Sequence, residues 1–268
     1  MKKLSFVMAI AAVCVCMASC GNGKTKKSAA TTTTKSQVEI QQEEYIMLHI
    51  DSLAAEITRL KPLGFVESSQ DGKISLNEQE KQVKPDYLIG TSIINNLQTL
   101  SQKYRAAAML YIDKWVASMY DMPVDEYDAA LTKLYLDIND PQLKAIFANE
   151  NTAEAFDAFY QASKENGRLN FFWDVCAAAI VEHIFIASQN SEKFLASFDD
   201  ESASEVTLEI AMLTIAMDDL ATINPDYKEI NEALQPIGVL NAINVEQFRE
   251  QLAQLKDEVA ASRGALLK

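Results

Sequence analysis

The sequence is poor in the residues that most catalytic and metal-binding motifs require. It contains only 2 histidines and 8 glycines in 268 residues, and none of the glycines forms a phosphate-binding loop motif. Ile46 and Ile180 stand three residues before His49 and His183, so the Glu-x-x-His motif of ferritin-like carboxylate bundles is missing. The cysteines and histidines also lack the spacing of zinc sites. These shortages exclude the best-known motifs for binding zinc, paired iron or nucleotides.

Turn-forming residues are scarce as well, which favours long helices. The chain has 8 glycines and 6 prolines. From Gln37 onward apolar residues recur at spacings of three and four, and alternating runs rich in β-branched residues are missing. We therefore predict a single all-α domain over residues 37–268, built as a bundle of about nine to eleven mostly antiparallel helices.

Local signals predict where several of these helices begin and end. We predict one helix over about 37–60 and a long one over about 87–119, after Pro85. Asp140 and Asn224 are capping residues before a proline, which favours a helix start at each. Two further starts are indicated by capping boxes, Asn151 with Glu154 and Asn244 with Gln247. Gly167 is predicted to end a helix.

The most apolar segment, residues 171–188, predicts a central core helix. As a membrane span it would place Asp174 and Glu182 in the bilayer, at a cost of about 5 to 7 kcal/mol for the pair. We instead expect these two acids to form the polar edge of a mostly buried helix. Cys176 and His183 lie seven residues apart, about 10.5 Å along the axis, which is too far for a catalytic dyad.

The N-terminus has the pattern of an export signal. Lys2 and Lys3 precede an uncharged apolar run from Leu4 to Met17, the length of a signal-peptide core. The run ends in Met-Ala-Ser-Cys-Gly, with the cysteine at position 20. This resembles the lipobox of bacterial lipoproteins of the Bacteroidota type. The resemblance implies a signal peptide over residues 1–19, lipidation of Cys20 and a membrane anchor without a spanning helix.

Residues 20–36 are predicted to be the lipidated cysteine followed by a flexible tether. The stretch after Cys20 has no aliphatic residue larger than alanine, and its reach as a random coil is about 22 Å. Its lysines could favour anionic headgroups, or the stretch could be a solvated spacer. Surface-exposed lipoproteins of Bacteroidota usually carry acidic residues here. The absence of acidic residues from the stretch after Cys20 favours an outer-membrane position facing the periplasm.

The charge of the helical domain limits its partners. The formal charge is −14 for the whole chain and becomes −20 once the lysines of residues 1–36 are removed. A domain this acidic repels nucleic acid and anionic lipid. We expect no nucleic-acid partner, whereas a basic protein partner or divalent cations would suit the domain.

One segment resembles the 12-residue calcium loop of EF-hand proteins. Gly72 falls at the position of the sharp turn and Ile74 at the apolar position. The resemblance implies calcium as a cofactor, although Glu67 stands where the family usually has aspartate. The alternative is a surface turn at Gly72 that leads into a short helix. The implied calcium ligands are Glu67, Ser69, Asp71, Lys73, Ser75 and Glu78.

Two classes of function remain open. The first is a membrane-anchored envelope lipoprotein that acts as a non-enzymatic binding or structural module. The second is a metal-dependent helical sensor or hydrolase, using the calcium-type loop or carboxylates from separate helices such as Asp113, Glu209 and Asp218. No residue is assigned a catalytic or cofactor-binding role. Because the mature chain offers two histidines and one thiol in apolar helical sequence, the first class is favoured.

Overall fold

The fold is an all-α multi-helix bundle, seen in a computed structural model that describes residues 36–60, 74, 76–148 and 153–268. These residues form twelve α-helices, two 3-10 helices and no strand. The 3-10 helices are Thr91–Asn95 and Pro225–Tyr227. The α-helices are α1 (Gln37–Leu60), α2 (Glu78–Gln82), α3 (Leu100–Met119), α4 (Asp125–Ile138), α5 (Pro141–Ala148), α6 (Ala153–Glu165), α7 (Leu169–Gln189), α8 (Ser191–Phe194), α9 (Asp200–Ile223), α10 (Lys228–Leu234), α11 (Val245–Gln254) and α12 (Lys256–Leu266).

The described residues form twelve α-helices, one more than the upper end of the predicted nine to eleven. α2 has only 5 residues and α8 only 4. A helix of about one turn is too short to show the periodicity on which the prediction depends.

The long helix α3 begins at Leu100, so the predicted start near residue 87 is wrong. Thr99 and Gln102 form a complete capping box: the Thr99 hydroxyl accepts the Gln102 amide at 3.1 Å, and Gln102 Oε1 accepts the Thr99 amide at 2.9 Å. These bonds satisfy free amide groups at the helix start. Within the stretch before α3, residues 91–95 form the 3-10 helix Thr91–Asn95.

Three predicted caps and one predicted helix end are confirmed. Asp140 and Asn224 each accept the amide two residues further on at 2.9 Å, and Asn244 accepts the amide three residues further on at 2.9 Å. The capping box predicted for Asn244 and Gln247 is incomplete, because Gln247 Oε1 accepts the Ile243 amide at 3.3 Å. Asn151, of the other predicted box, lies outside the described residues. Gly167 follows the end of α6 with φ +63°, a left-handed conformation that glycine adopts without steric cost.

Helix α7 is the centre of the core, and it packs mainly against α3 and α12. It is the one helix of the described residues that is long and apolar enough to span a membrane, but 89% of its most apolar window is buried inside the protein. This burial fits the predicted core helix. The expectation that Asp174 and Glu182 form a polar edge is wrong, because both side chains are fully buried.

Candidate functional site

A cleft of about 780 Å³ opens where the first turns of α3 and α7 meet the 3-10 helix Pro225–Tyr227. The capping box of Thr99 and Gln102 satisfies amides at the start of α3, and the Phe171 amide at the start of α7 donates to the Arg168 carbonyl at 3.0 Å. The side chains that matter most for its chemistry are those of Ser101, Arg105, Asn170, Phe171, Asp226 and Glu229.

Arg105 lines the cleft although only 4% of its side chain is exposed. Its Nε donates to Oδ1 of the fully buried Asp174 at 2.6 Å, and its Nη1 donates to Glu229 Oε1 at 3.1 Å. Burial raises the pKa of Asp174, and the Arg105 guanidinium offsets part of that rise. Arg105 is therefore held in one position, with its charge balanced from inside the protein.

The rim of the cleft carries charges of both signs. Asp226, Glu229 and Lys268 are all exposed there, and the Glu229 carboxylate already accepts from Arg105 at 3.1 Å. Asp226 is therefore the rim carboxylate that can receive a cationic group of a ligand.

One wall of the cleft is a rigid aromatic stack. The ring of Phe171 lies parallel to that of Tyr104, with 4.5 Å between centroids, and the Arg168 guanidinium lies 5.2 Å from the Phe171 ring centroid. The Tyr104 hydroxyl donates to Asp140 at 2.7 Å. Phe171 is thus a fixed apolar surface next to the charged rim.

A second charged cluster lies in the core and links three helices. Arg263 on α12 donates from Nε and Nη2 to the two carboxylate oxygens of Glu182 on α7, each at 2.7 Å. The same Nη2 lies 3.6 Å from Oδ2 of Asp113 on α3. Asp113 and Glu182 are fully buried, and Asp113 also accepts the Ile89 amide at 2.6 Å.

The buried cluster contains two acids but only one guanidinium. Burial raises the pKa of Asp113 well above its ordinary value, and the neighbouring Glu182 raises it further, whereas Arg263 acts in the opposite direction. Because one guanidinium balances only one carboxylate, two buried acids beside Arg263 favour a proton on one of them. We assign that proton to Asp113, so that one carboxylate and one guanidinium remain and the cluster is neutral.

The three carboxylates predicted for a hydrolase do not come together. Asp113 belongs to the buried cluster with Arg263. Asp218 is exposed and accepts the side-chain amide of Asn231 at 2.8 Å. Glu209 is buried on α9, nine residues before Asp218 and so about 13.5 Å from it along the helix axis. These residues therefore form no shared catalytic centre.

Most of the calcium-type loop, like the lipobox cysteine Cys20, lies outside the described residues. That holds for Glu67, Ser69, Asp71, Lys73 and Ser75. Glu78 is described: it is the first residue of α2 and lies 3.5 Å from the amino group of Lys81 on the protein surface. Within residues 36–60, 74, 76–148 and 153–268, no group of three or more His, Cys, Asp or Glu side chains is placed to hold a metal ion. Calcium binding by the loop stays a prediction.

Cys176 is a core residue, as its apolar neighbours in sequence indicate. Its side chain is fully buried, and burial raises the pKa of the thiol well above its ordinary value. A neutral thiol closed off from solvent is a poor nucleophile.

The comparisons with known proteins assign no family. No protein-family model, curated protein or solved structure matches the chain.

Proposed function

We propose that the protein is an exported lipoprotein, anchored through Cys20 to the outer membrane and facing the periplasm, whose helical domain acts by binding a basic protein partner. Support for the anchor comes from the sequence of residues 1–36, with its basic start, apolar run, lipobox and lysine-containing tether. Support for binding comes from the cleft and from the charge of the domain.

The anchor is tested by the variant Cys20→Ala. Wild-type protein should partition into the detergent phase and incorporate labelled fatty acid, whereas Cys20→Ala should do neither, because the thiol carries the lipid. The matched control is Cys176→Ala, which removes the buried thiol and should leave labelling unchanged. Labelled fatty acid remaining on the Cys20→Ala protein would refute the anchor.

The negative charge of the domain is the observation that carries the binding proposal. From residue 37 onward the formal charge is −20, and Arg105 and Arg263 are both paired with buried acids. A lysine or arginine side chain of a partner would meet Asp226 at the rim of the cleft, with Phe171 beside it for apolar contact.

Capture of envelope proteins at two salt concentrations tests this proposal. A basic partner should be retained on immobilised full-length protein at 0.1 M salt and be reduced about tenfold at 1 M, because the screening length falls from about 10 Å to about 3 Å. The double variant Asp226→Asn, Glu229→Gln should lose most of the captured protein even at low salt.

The control for the rim variant removes the same two charges elsewhere. Asp257→Asn with Glu232→Gln changes two exposed acids that do not line the cleft and should capture as the wild type does. In parallel, purified protein is assayed on esterase, glycosidase, peptidase and phosphatase substrates. Turnover that one carboxylate substitution abolishes in a folded variant would overturn the binding proposal in favour of a hydrolase.

A further inference from the structure

Residues 83–90 connect α2 to the 3-10 helix Thr91–Asn95 and contain no helix or strand. Ile89 is the one buried residue of these eight. Among the described residues, no backbone–backbone hydrogen bond involves residues 84–89. We call residues 83–90 the strap. Because the strap lacks backbone pairing of its own, its position depends on side chains of the helices against which it lies.

Three helices fasten the strap at neighbouring points of its backbone. Asp113 on α3 accepts the Ile89 amide at 2.6 Å, and the Tyr127 hydroxyl on α4 donates to the Ile89 carbonyl at 3.3 Å. Arg263 on α12 donates from Nη1 to the Tyr87 carbonyl at 3.0 Å. The strap is therefore held through the backbone of residues 87–89.

Two of these three side chains belong to the buried charged cluster. Arg263 binds both oxygens of Glu182 at 2.7 Å and lies 3.6 Å from Oδ2 of Asp113. The other oxygen of Asp113, Oδ1, is buried and has no hydrogen-bond partner among the described residues. The strap is thus fastened to a cluster of two acids and one guanidinium, which is neutral only while one acid keeps its proton.

The surroundings of Asp113 offer no second cation to balance a second negative charge. The titratable groups that face it are Glu182 on α7, Arg263 on α12, Tyr127 on α4 and Tyr87 of the strap, and of these four only Arg263 is positive. A buried carboxylate without a counter-charge is costly unless water reaches it. Because the strap backbone bonds directly to the cluster, lifting the strap admits water to both acids.

We propose that the strap is a proton-dependent latch, which stays closed while Asp113 and Glu182 hold one proton between them and opens locally when both are ionised. In the closed form a neutral Asp113 leaves one carboxylate for one guanidinium. In the open form the Asp113 carboxylate is hydrated. This conformational device goes beyond the proposed binding function and does not depend on the partner.

The direction of the pH dependence follows from the burial of Asp113. Burial raises the pKa of this carboxyl well above its ordinary value of 3.8, and hydration in the open form returns the pKa towards that value. The closed form therefore keeps a proton that the open form releases, so opening becomes more favourable as the pH rises from about 4 to the raised pKa. One released proton changes the opening constant by up to about tenfold per pH unit.

Hydrogen–deuterium exchange of the full mature chain in detergent, read by mass spectrometry at pH 5, 6 and 7, tests the latch. After correction for the intrinsic exchange rates, protection of the strap should fall at least about tenfold from pH 5 to pH 7, because opening releases a proton. Peptides from the core helix α7 should keep their protection, because the opening is local.

Two variants remove the second titratable acid. Asp113→Asn keeps an oxygen that can accept the Ile89 amide but has no proton to lose, and Glu182→Gln leaves Asp113 as the one acid beside Arg263. In both variants strap protection should change less than about twofold between pH 5 and pH 7. Circular dichroism melting establishes that each variant is folded. Asp86→Asn removes an exposed acid of the strap itself and should keep the pH dependence of the wild type.

Three results would overturn the latch. The first is strap protection in the wild type that does not change with pH after correction. The second is an equal fall in protection of the strap and α7, which would show that the whole domain opens. The third is wild-type pH dependence in folded Asp113→Asn or Glu182→Gln protein, which would assign the released proton to another group.

Discussion

Arg263→Met should lower the free energy of unfolding by about 3–5 kcal/mol at pH 7. The substitution leaves Glu182 and Asp113 in the core without the guanidinium that binds both oxygens of Glu182 at 2.7 Å. It also removes the contact of Arg263 with the Phe185 ring, whose centroid lies 4.0 Å from the guanidinium carbon. Urea denaturation followed by circular dichroism measures the loss.

Two further variants test whether the loss comes from uncompensated charge. Arg59→Met removes an exposed arginine paired with Glu56 and should cost less than about 1 kcal/mol. Adding Asp113→Asn and Glu182→Gln to Arg263→Met should recover part of the lost stability, since neutral side chains need no counter-charge. A loss below about 1 kcal/mol in Arg263→Met would mean that the buried cluster does not hold α12 in place.

Glu209→Gln should make the protein more stable than the wild type at alkaline pH, by up to about 4 kcal/mol at pH 9. Glu209 is only 7% exposed, and its Oε1 has no hydrogen-bond partner among the described residues. Burial raises the pKa of this carboxyl from 4.5 to about 8. A glutamine of nearly the same shape has no proton to lose, so it escapes the cost of a buried charge.

The sign of the pH dependence follows from this raised pKa. Between pH 4.5 and about 8 the unfolded chain loses the Glu209 proton while the folded chain keeps it, so this group's contribution to wild-type stability falls as the pH rises. Denaturation curves at pH 5, 7 and 9 should show a smaller fall in Glu209→Gln than in the wild type. The exposed Glu232→Gln serves as control and should follow the wild type. Parallel pH dependence in wild type and Glu209→Gln would show that Glu209 is hydrated.

The helical architecture could be predicted because it depends on local patterns. Spacings of three and four identify helices wherever they last several turns, and caps such as Asp140 and Asn244 satisfy amides two or three residues away. The core helix was visible from composition alone, since residues 171–188 are the most apolar part of the domain. The predicted start of α3 near residue 87 is wrong because Pro85 permits a helix after it but does not start one, whereas the capping box of Thr99 and Gln102 does.

The buried ion pairs could not be predicted, because their partners are distant in sequence. Arg105 pairs with a residue 69 positions away, and Arg263 with one 81 positions away. The sequence does contain a sign that these charges are buried. Asp174 and Glu182 stand alone within the most apolar segment, and Arg105 stands beside a run of alanines. Isolated charges in apolar sequence indicate buried pairs, but periodicity does not reveal which residues pair.

The cleft also depends on tertiary structure. It brings the first turn of α3, the first turn of α7 and the 3-10 helix Pro225–Tyr227 to one place. In the sequence only Asn224, the cap of that 3-10 helix, is recognisable, as a capping residue before a proline. Glu229 lies at the cleft and accepts from Arg105, a residue 124 positions away in the sequence.

Site-specific photo-crosslinking in living cells tests the central claim, binding of a basic partner, most directly. A photoreactive residue is placed at position 229 on the rim of the cleft, and in a control at position 232, which is exposed on the same helix but does not line the cleft. The account predicts one adduct of defined mass from position 229, absent from position 232, whose partner has a basic sequence. No adduct from position 229, or the same adducts from both positions, would contradict it.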